Sequence, residues 1–261
     1  MSMENRARLA EVMRSGDPDL AEANLLIAAE GRPGVDPGRW LAEVDRLAGM
    51  AGAADAQAIF DLLREEGFTG DSRTYDDPRN SFLDQVMRRR RGLPISLSAL
   101  AIAVGRRTGA PVVGVAMPGH YVVADLSGGG VRYVDPFHGW VTRTMNGLAG
   151  IVHDASGTDL EPGHLSPATA QITVTRMLLN LEGAYRRRSR PDDVLWCCEL
   201  LALIDPADPA PRVRMAEVLV ELGRPDEAEA LLGSLLTMTP PSLAMRVAET
   251  VLEDIRAARL N

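Results

Sequence analysis

A segment in the middle of the chain, residues 88–140, constrains the fold more than any other part of the sequence. A run of four arginines and the helix breaker Gly92-Leu93-Pro94 precede an apolar stripe with helical spacing, formed by Leu97, Leu100, Ala101 and Val104. The apolar and β-branched runs that follow predict three short strands, Val112–Met117, His120–Leu126 and Val131–Asp135. The segment therefore predicts a buried helix followed by a small antiparallel sheet.

The turn between the second and third strands fixes which side chains share a face of that sheet. If Gly128-Gly129 forms a tight turn, paired residue numbers sum to 257, so His120 lies opposite Phe137 and Asp135 is its diagonal neighbour. An imidazole and a carboxylate can close that distance, whereas a slip of one residue would place them on opposite faces. We therefore predict that Asp135 orients the ring of His120, as in a nucleophile–base–orienter relay.

The nucleophile of such a relay would lie at the start of the predicted core helix, where backbone N–H groups and the helix dipole favour an anion. No cysteine stands there, because the two cysteines of the chain are Cys197 and Cys198. The candidate is therefore the hydroxyl of Ser96, with Ser98 further into the helix. The alternative role for Ser96 is helix capping.

Other polar and aromatic side chains near this segment are candidates for binding. His120, Asp135 and His138 offer two imidazoles and a carboxylate, a set that could bind a metal ion. A lone histidine in a Gly-Trp loop is more often structural, and we expect no metal and no cofactor. The residues expected to line a cleft are Asn80, Arg91, Phe137, His138 and Trp140. Their alternative roles are to tie loops to backbone carbonyls and to cover the core.

Helical patterns flank the middle segment on both sides. Residues 1–70 are predicted to be helical, with breaks at glycine and proline. Near the C-terminus, residues 190–194 (Arg-Pro-Asp-Asp-Val) match residues 224–228 (Arg-Pro-Asp-Glu-Ala) at an offset of 34, and Asp205-Pro206 matches Thr239-Pro240. A 34-residue period is the signature of tetratricopeptide repeats, which are pairs of helices.

These patterns predict two domains in an α+β, mostly helical protein. Residues 1–165 would form a helical N-terminal region and the core with its sheet, the core itself covering about residues 77–145. Residues 166–261 would form the helical repeats. Two visible copies are fewer than a free-standing solenoid needs, so we expect them to pack on flanking helices or on the N-terminal domain.

The composition excludes several classes of protein. The chain is 46% hydrophobic and 25% charged with a formal net charge of −8, so nothing global recruits nucleic acid or an anionic membrane. Two adjacent cysteines exclude a scaffold of secreted disulfides. The N-terminal residues lack the apolar core of a signal peptide, and no segment approaches the length of a membrane span. We therefore expect a cytoplasmic protein that does not bind nucleic acid or membranes.

Several of these motifs together resemble the bacterial SirB family of transglutaminase-like proteins. The segments that carry the resemblance are residues 91–98 (Arg-Gly-Leu-Pro-Ile-Ser-Leu-Ser), 109–111 (Gly-Ala-Pro), 118–120 (Pro-Gly-His) and 134–139 (Val-Asp-Pro-Phe-His-Gly). Residues 77–83 and 19–23 also resemble the family pattern. The resemblance implies a helical N-terminal part, a transglutaminase-like core with a papain-like fold, and C-terminal tetratricopeptide repeats.

The resemblance also implies a Cys–His–Asp site of which this chain has two members. His120 and Asp135 match the histidine and the aspartate, whereas the cysteine position falls at about residues 94–96, where there is no thiol. We expect a catalytically degenerate protein that binds a peptide or protein partner through its repeats and cleft. One alternative is an amide or ester hydrolase or acyl transferase that uses Ser96 or water with His120 and Asp135. A second is a metal-dependent enzyme at His120, Asp135 and His138.

Overall fold

Helices that begin at aspartates fill the N-terminal part of the chain. A computed structural model describes residues 3–52, 54–238 and 243–258. The first four helices are α1 (Met3–Arg14), α2 (Leu20–Gly31), α3 (Pro37–Ala51) and α4 (Ala56–Glu65). In α2, α3 and α4 the residue before the helix is an aspartate whose carboxylate accepts backbone N–H groups of the first turn. Such caps fix where a helix begins.

The middle of the chain contains the predicted helix and sheet. Helix α5 (Leu83–Arg89) and helix α6 (Pro94–Thr108) are separated by a break at which β1 (Thr69–Gly70) and β2 (Arg91–Gly92) pair in parallel. The sheet that follows is antiparallel, with the strands in chain order: β3 (Val112–Met117), β4 (His120–Asp125), β5 (Arg132–Asp135) and β6 (Val141–Arg143). Helix α7 (Met145–Ser156) comes next.

The predicted register of the hairpin is confirmed. Strands β4 and β5 pair Val123 with Val134, Ala124 with Tyr133 and Asp125 with Arg132, so each pair of residue numbers sums to 257. Strand β4 ends one residue earlier, and strand β5 begins one residue later, than the sequence predicted. Because the register is right, His120 and Asp135 lie on the same face of the sheet.

Helix α6 is the centre of the first hydrophobic core. It packs against α3, α4, β3 and β4, and it ends at Gly109, whose φ of 78° is the left-handed conformation of a helix C-terminus. The side chains of this core include Leu47, Phe60, Leu97, Leu100, Val123 and Trp140. The α6 stripe predicted from its spacing is buried throughout.

The C-terminal helices form a second compact unit. The first unit comprises residues 1–177 and the second residues 178–261, so the division falls within α8 (Ala170–Arg186), later than the boundary expected near residue 165. The helices that follow are α9 (Pro191–Ile204), α10 (Ala210–Glu221), α11 (Pro225–Met238) and α12 (Leu243–Ala258). The matching prolines at positions 191 and 225 begin α9 and α11, as the 34-residue offset predicts, whereas Thr239-Pro240 lies outside the described residues.

The α+β, mostly helical architecture is therefore as predicted, with a small antiparallel sheet in the first unit and helix pairs in the second. None of the helices in the described part of the chain combines the length and the apolar composition that crossing a membrane requires.

Candidate functional site

The carboxylate of Asp135 lies at the centre of the candidate site and accepts hydrogen bonds from three side chains. Its Oδ2 atom accepts from Nε2 of His120 at 3.0 Å, Nδ1 of His138 at 2.8 Å and Nη2 of Arg143 at 2.7 Å. Its Oδ1 atom accepts the backbone N–H groups of Phe137 and His138. Asp135 has no exposed surface. We call these three side chains with Asp135 the carboxylate hub.

Strand geometry brings the members of the hub together. His120 is the first residue of β4 and Asp135 the last residue of β5. Asp135 pairs with Val141, so Arg143, two residues further along β6, is its diagonal neighbour on the same face. The backbone N–H groups bound by Oδ1 belong to the turn that immediately follows β5. The hub therefore fastens β4, β5, β6 and this turn at one end of the sheet.

The charge state of Asp135 follows from two opposing effects. Burial by itself raises the pKa of a carboxyl group, but the hydrogen bond and electrostatic attraction of His120, followed by the hydrogen bonds of His138 and Arg143, lower it more. The pKa of Asp135 therefore lies well below its usual range, and the carboxylate is ionised at neutral pH. The guanidinium of Arg143 is a permanent counter-charge.

An ionised carboxylate can only accept hydrogen bonds, so each ring nitrogen that faces it carries a hydrogen. In the neutral imidazole, this leaves the lone pair of His120 on Nδ1 and that of His138 on Nε2. No hydrogen bond from the described part of the chain reaches Nδ1 of His120. The His120 side chain is 9% exposed and that of His138 54%. The imidazole of His120 is thus held by the carboxylate of Asp135, which is the contact that the hairpin register predicts.

The donor set favours this hydrogen-bonded hub over a metal site. One potential ligand atom from each of His120, Asp135 and His138 lies within 4.8 Å of the others. However, Arg143 donates twice to the same oxygen that both rings share. A cation bound at that oxygen would displace these bonds and lie beside a fixed positive charge.

The structure places the hydroxyl of Ser96 in a backbone cap and not on His120. Its Oγ atom accepts the N–H of Leu93 at 2.9 Å, and its single hydrogen is directed to the carbonyl oxygen of Asn80 at 2.7 Å or of Leu93 at 3.1 Å. Ser96 is completely buried, and no hydrogen bond within the described residues joins it to His120. The capping alternative therefore fits the geometry. Ser98 is also buried, but its hydroxyl has no hydrogen-bond partner within the described chain.

Three of the five expected cleft residues instead donate hydrogen bonds to backbone carbonyls in loops or cover the core. The amide of Asn80, which is fully buried, donates to the carbonyl of Thr74 at 2.7 Å. The indole of Trp140 is buried and donates to the carbonyl of Phe68 at 2.8 Å. Arg91 is exposed and donates to backbone carbonyls. These contacts match the structural alternatives weighed for Asn80, Arg91 and Trp140.

The other two expected cleft residues, Phe137 and His138, lie beside His120 together with Tyr75. The ring of Phe137 contacts the rings of His138, Tyr75 and His120 at centroid distances of 5.2, 5.7 and 6.4 Å. Phe137 also packs on the backbone of Gly70, where an added side chain would collide with its ring. We call Tyr75, Phe137 and His138 the aromatic rim.

Arg143 and Tyr75 were not identified from the sequence. Arg143 follows from the pairing of β6, a three-residue strand without an alternating pattern, and a predicted β6 would have placed it beside Asp135. Tyr75 lies in a loop, where no periodicity indicates its direction.

Comparison with known proteins agrees with this geometry. The sequence pattern of the transglutaminase-like superfamily matches residues 38–179, which is more than half of the chain. The chain belongs to this superfamily. A tetratricopeptide repeat pattern matches residues 199–246, so the repeats are confirmed. Membership of the SirB family in particular stays a prediction.

Relatives of the transglutaminase-like chain include several called UPF0162 protein. One from Xylella fastidiosa is 30% identical over 204 residues, which are 76% of this chain and 73% of the relative. One from Vibrio cholerae is 34% identical over 150 residues, and the match spans only 56% of that relative. Among solved structures, menin matches with a TM-score of 0.50 over 95% of this chain and 62% of menin. At 14% identity this likeness concerns the fold alone.

Replacing Ser96 by alanine is expected to destabilise the protein. Ser96→Ala removes a buried cap that accepts the N–H of Leu93, although this N–H keeps its 3.2 Å hydrogen bond to the carbonyl of Asn80. We therefore expect a cost of about 0.5–2 kcal/mol of the free energy of unfolding. Ser98→Ala is the matched control, since it removes an equally buried hydroxyl that makes no hydrogen bond, and it should cost nothing. Urea denaturation of the two variants measures the difference. Equal stability of both variants would show that Ser96 is not a cap.

Replacing Asp135 by asparagine is expected to cost about 3–5 kcal/mol at neutral pH, because it leaves Arg143 without its counter-charge. The folded-state pKa of Asp135 is below the unfolded value of about 3.9, so its contribution is complete above that pH and shrinks as the pH falls towards the folded value. The stability difference between wild type and Asp135→Asn in urea should therefore be largest above about pH 5 and shrink progressively as the pH falls below about 4. A difference that did not change with pH would contradict this assignment.

Proposed function

We propose that this transglutaminase-like chain has lost covalent catalysis and acts by binding a peptide partner. The observation that supports the proposal most directly is that the expected nucleophile position has neither a thiol nor a free hydroxyl. Pro94, Ile95 and Ser96 at the start of α6 are all buried and contain no thiol, and the hydroxyl of Ser96 is committed to backbone groups. Acyl transfer needs a nucleophile that the histidine can deprotonate.

The presence of the His120–Asp135 pair is compatible with a structural role. Through the carboxylate hub, Asp135 joins β4, β5 and β6 and caps the turn after β5. Breaking such a buried network is costly whether or not the protein is an enzyme.

Two features support binding. The aromatic rim lies next to His120, and Tyr75 is 46% exposed, so its ring is available to an apolar ligand group. In the repeat unit, Val220, Val251 and Ile255 line an open groove with Glu217 and Asp254. Tetratricopeptide repeats present extended concave surfaces, and menin, which shares the fold, has a binding site for the Mixed Lineage Leukemia protein.

Loss of catalysis is tested on the full chain with two probes, a glutamine peptide offered with a fluorescent primary amine and the ester p-nitrophenyl acetate. We expect wild type and His120→Ala to give the same rates. Turnover by wild type that His120→Ala abolishes, with both proteins folded by melting temperature, would overturn the proposal.

Binding is tested by selecting peptides from a random library on the full chain and measuring their affinity by calorimetry. We expect Tyr75→Ala to weaken cleft-binding peptides about tenfold or more, since aromatic anchors dominate such contacts. The control is Met145→Ala, which removes a similarly exposed apolar side chain on α7. A library from which no peptide binds would count against the proposal.

One observation favours a second candidate, hydrolysis by a water molecule. The hydrogen bond to Asp135 holds the hydrogen of His120 on Nε2 and leaves the lone pair on Nδ1. No described residue donates a hydrogen bond to Nδ1, so this atom is placed to accept a proton from water. In this case His120→Ala would abolish turnover of the ester, while Ser96→Ala would leave it unchanged.

A further inference from the structure

A half-buried arginine without a carboxylate partner lies near the candidate site. Arg176, on α8, donates from Nη1 to the carbonyl oxygen of Met117 at 2.8 Å. Its guanidinium lies 5.9 Å from the centre of the Tyr121 ring. Among the described residues, no carboxylate oxygen lies within 4.0 Å of it.

The position of Arg176 is fixed relative to His120 by the first hairpin of the sheet. Met117, which binds Arg176, is the strand partner of His120, and Pro118-Gly119 forms the turn between them. The guanidinium therefore lies at the end of the hairpin where His120 begins β4.

Arg176 also lies near the aromatic rim. Burial raises the pKa of the Tyr75 phenol, and the positive charge of Arg176 opposes this effect, so the two groups are close enough to interact. Tyr75 contacts Phe137, and Phe137 contacts His120. Arg176 thus lies at the turn between β3 and β4, at the end of the sheet where His120 and the rim also lie.

The missing counter-charge of Arg176 contrasts with three other partly buried arginines of the first unit. Arg143 is paired with Asp135, Arg89 with Asp71, and Arg90 with Glu66. A partly buried cation without a counter-charge is unfavourable, and burial lowers the pKa of Arg176 while the two tyrosines oppose the effect. An anionic ligand would supply the partner that the chain does not.

We propose that Arg176 binds a carboxylate of a peptide ligand beside the turn between β3 and β4, close to the first residue of β4, His120. The planar guanidinium matches a carboxylate, and the neighbouring aromatic rim suits the apolar part of the same ligand. This inference rests on the proposed function, in which the cleft binds a peptide. The carboxylate comes either from an acidic side chain or from a free C-terminus, and the two sources share the same chemistry.

The test uses the full chain with arginine labelled with ¹⁵N, so that the Nε–Hε signal of Arg176 is followed by NMR and assigned through its loss in Arg176→Lys. Three probes are titrated: acetyl-Ala-Ala-Glu-Ala-Ala-amide, the same peptide with Gln in place of Glu, and acetyl-pentaalanine with a free carboxylate. We expect saturable shifts of this signal with at least one carboxylate peptide and none with the Gln peptide. The carboxylate peptide that saturates first identifies the source.

The matched variants are Arg176→Gln and Arg88→Gln, the latter replacing an exposed arginine at the end of α5. Arg176→Gln should weaken binding of the preferred carboxylate peptide about tenfold or more and remove its preference over the Gln peptide. Arg88→Gln should leave both unchanged. Arg176→Lys keeps the charge without the planar fork and should retain part of the affinity. If Arg176→Gln binds like wild type, or if all three probes shift the signal equally, the inference is wrong.

Failure of this inference and failure of the proposed function give different results. If selected peptides bind the cleft regardless of charge and of Arg176, the carboxylate specificity is wrong while peptide binding stands. If the preferred carboxylate peptide is bound and then cleaved in a reaction that His120→Ala abolishes, Arg176 recognises a substrate and the loss of catalysis is wrong.

Discussion

The buried negative charge of Asp135 is the interaction on which the geometry of the site depends. A carboxylate without contact to water must be compensated, and here one permanent cation and four N–H donors from two rings and two backbone groups do so. The same bonds hold the turn after β5, in which Gly139 and Trp140 adopt left-handed backbone conformations. For Trp140, with φ of 63°, that conformation is unfavourable, and the buried indole bound to the Phe68 carbonyl helps to maintain it.

What could be predicted from the sequence depended on the range of the interactions involved. The hairpin register followed from Gly128-Gly129 and the alternation of strand residues, and it placed His120 near Asp135 correctly. The sequence left the role of Ser96 open between a nucleophile and a helix cap, because the carbonyl that its hydroxyl contacts belongs to Asn80, sixteen residues earlier in the chain. Helix spacing locates a hydroxyl at a helix start but contains no information about which distant carbonyl lies opposite it.

The same limit explains the repeat unit. A period of 34 residues predicted where α9 and α11 begin, since each starts with proline at its first position. It did not predict that Glu217 and Asp254 would line the same groove as Val220 and Ile255, because those residues belong to α10 and α12 and meet only through packing. Local signals determined the helices, whereas tertiary contacts determined the surface they present.

The charges around His120 show why the overall composition is a poor guide to this site. The chain carries a formal net charge of −8, which alone would disfavour an acidic ligand. At physiological ionic strength, however, exposed charges more than about 8 Å away are largely screened, so a ligand in the cleft responds mainly to its neighbours. Asp135 is paired with Arg143 there, whereas the half-buried Arg176 has no carboxylate within 4.0 Å among the described residues. Local pairing, and not net charge, therefore determines the electrostatics of this site.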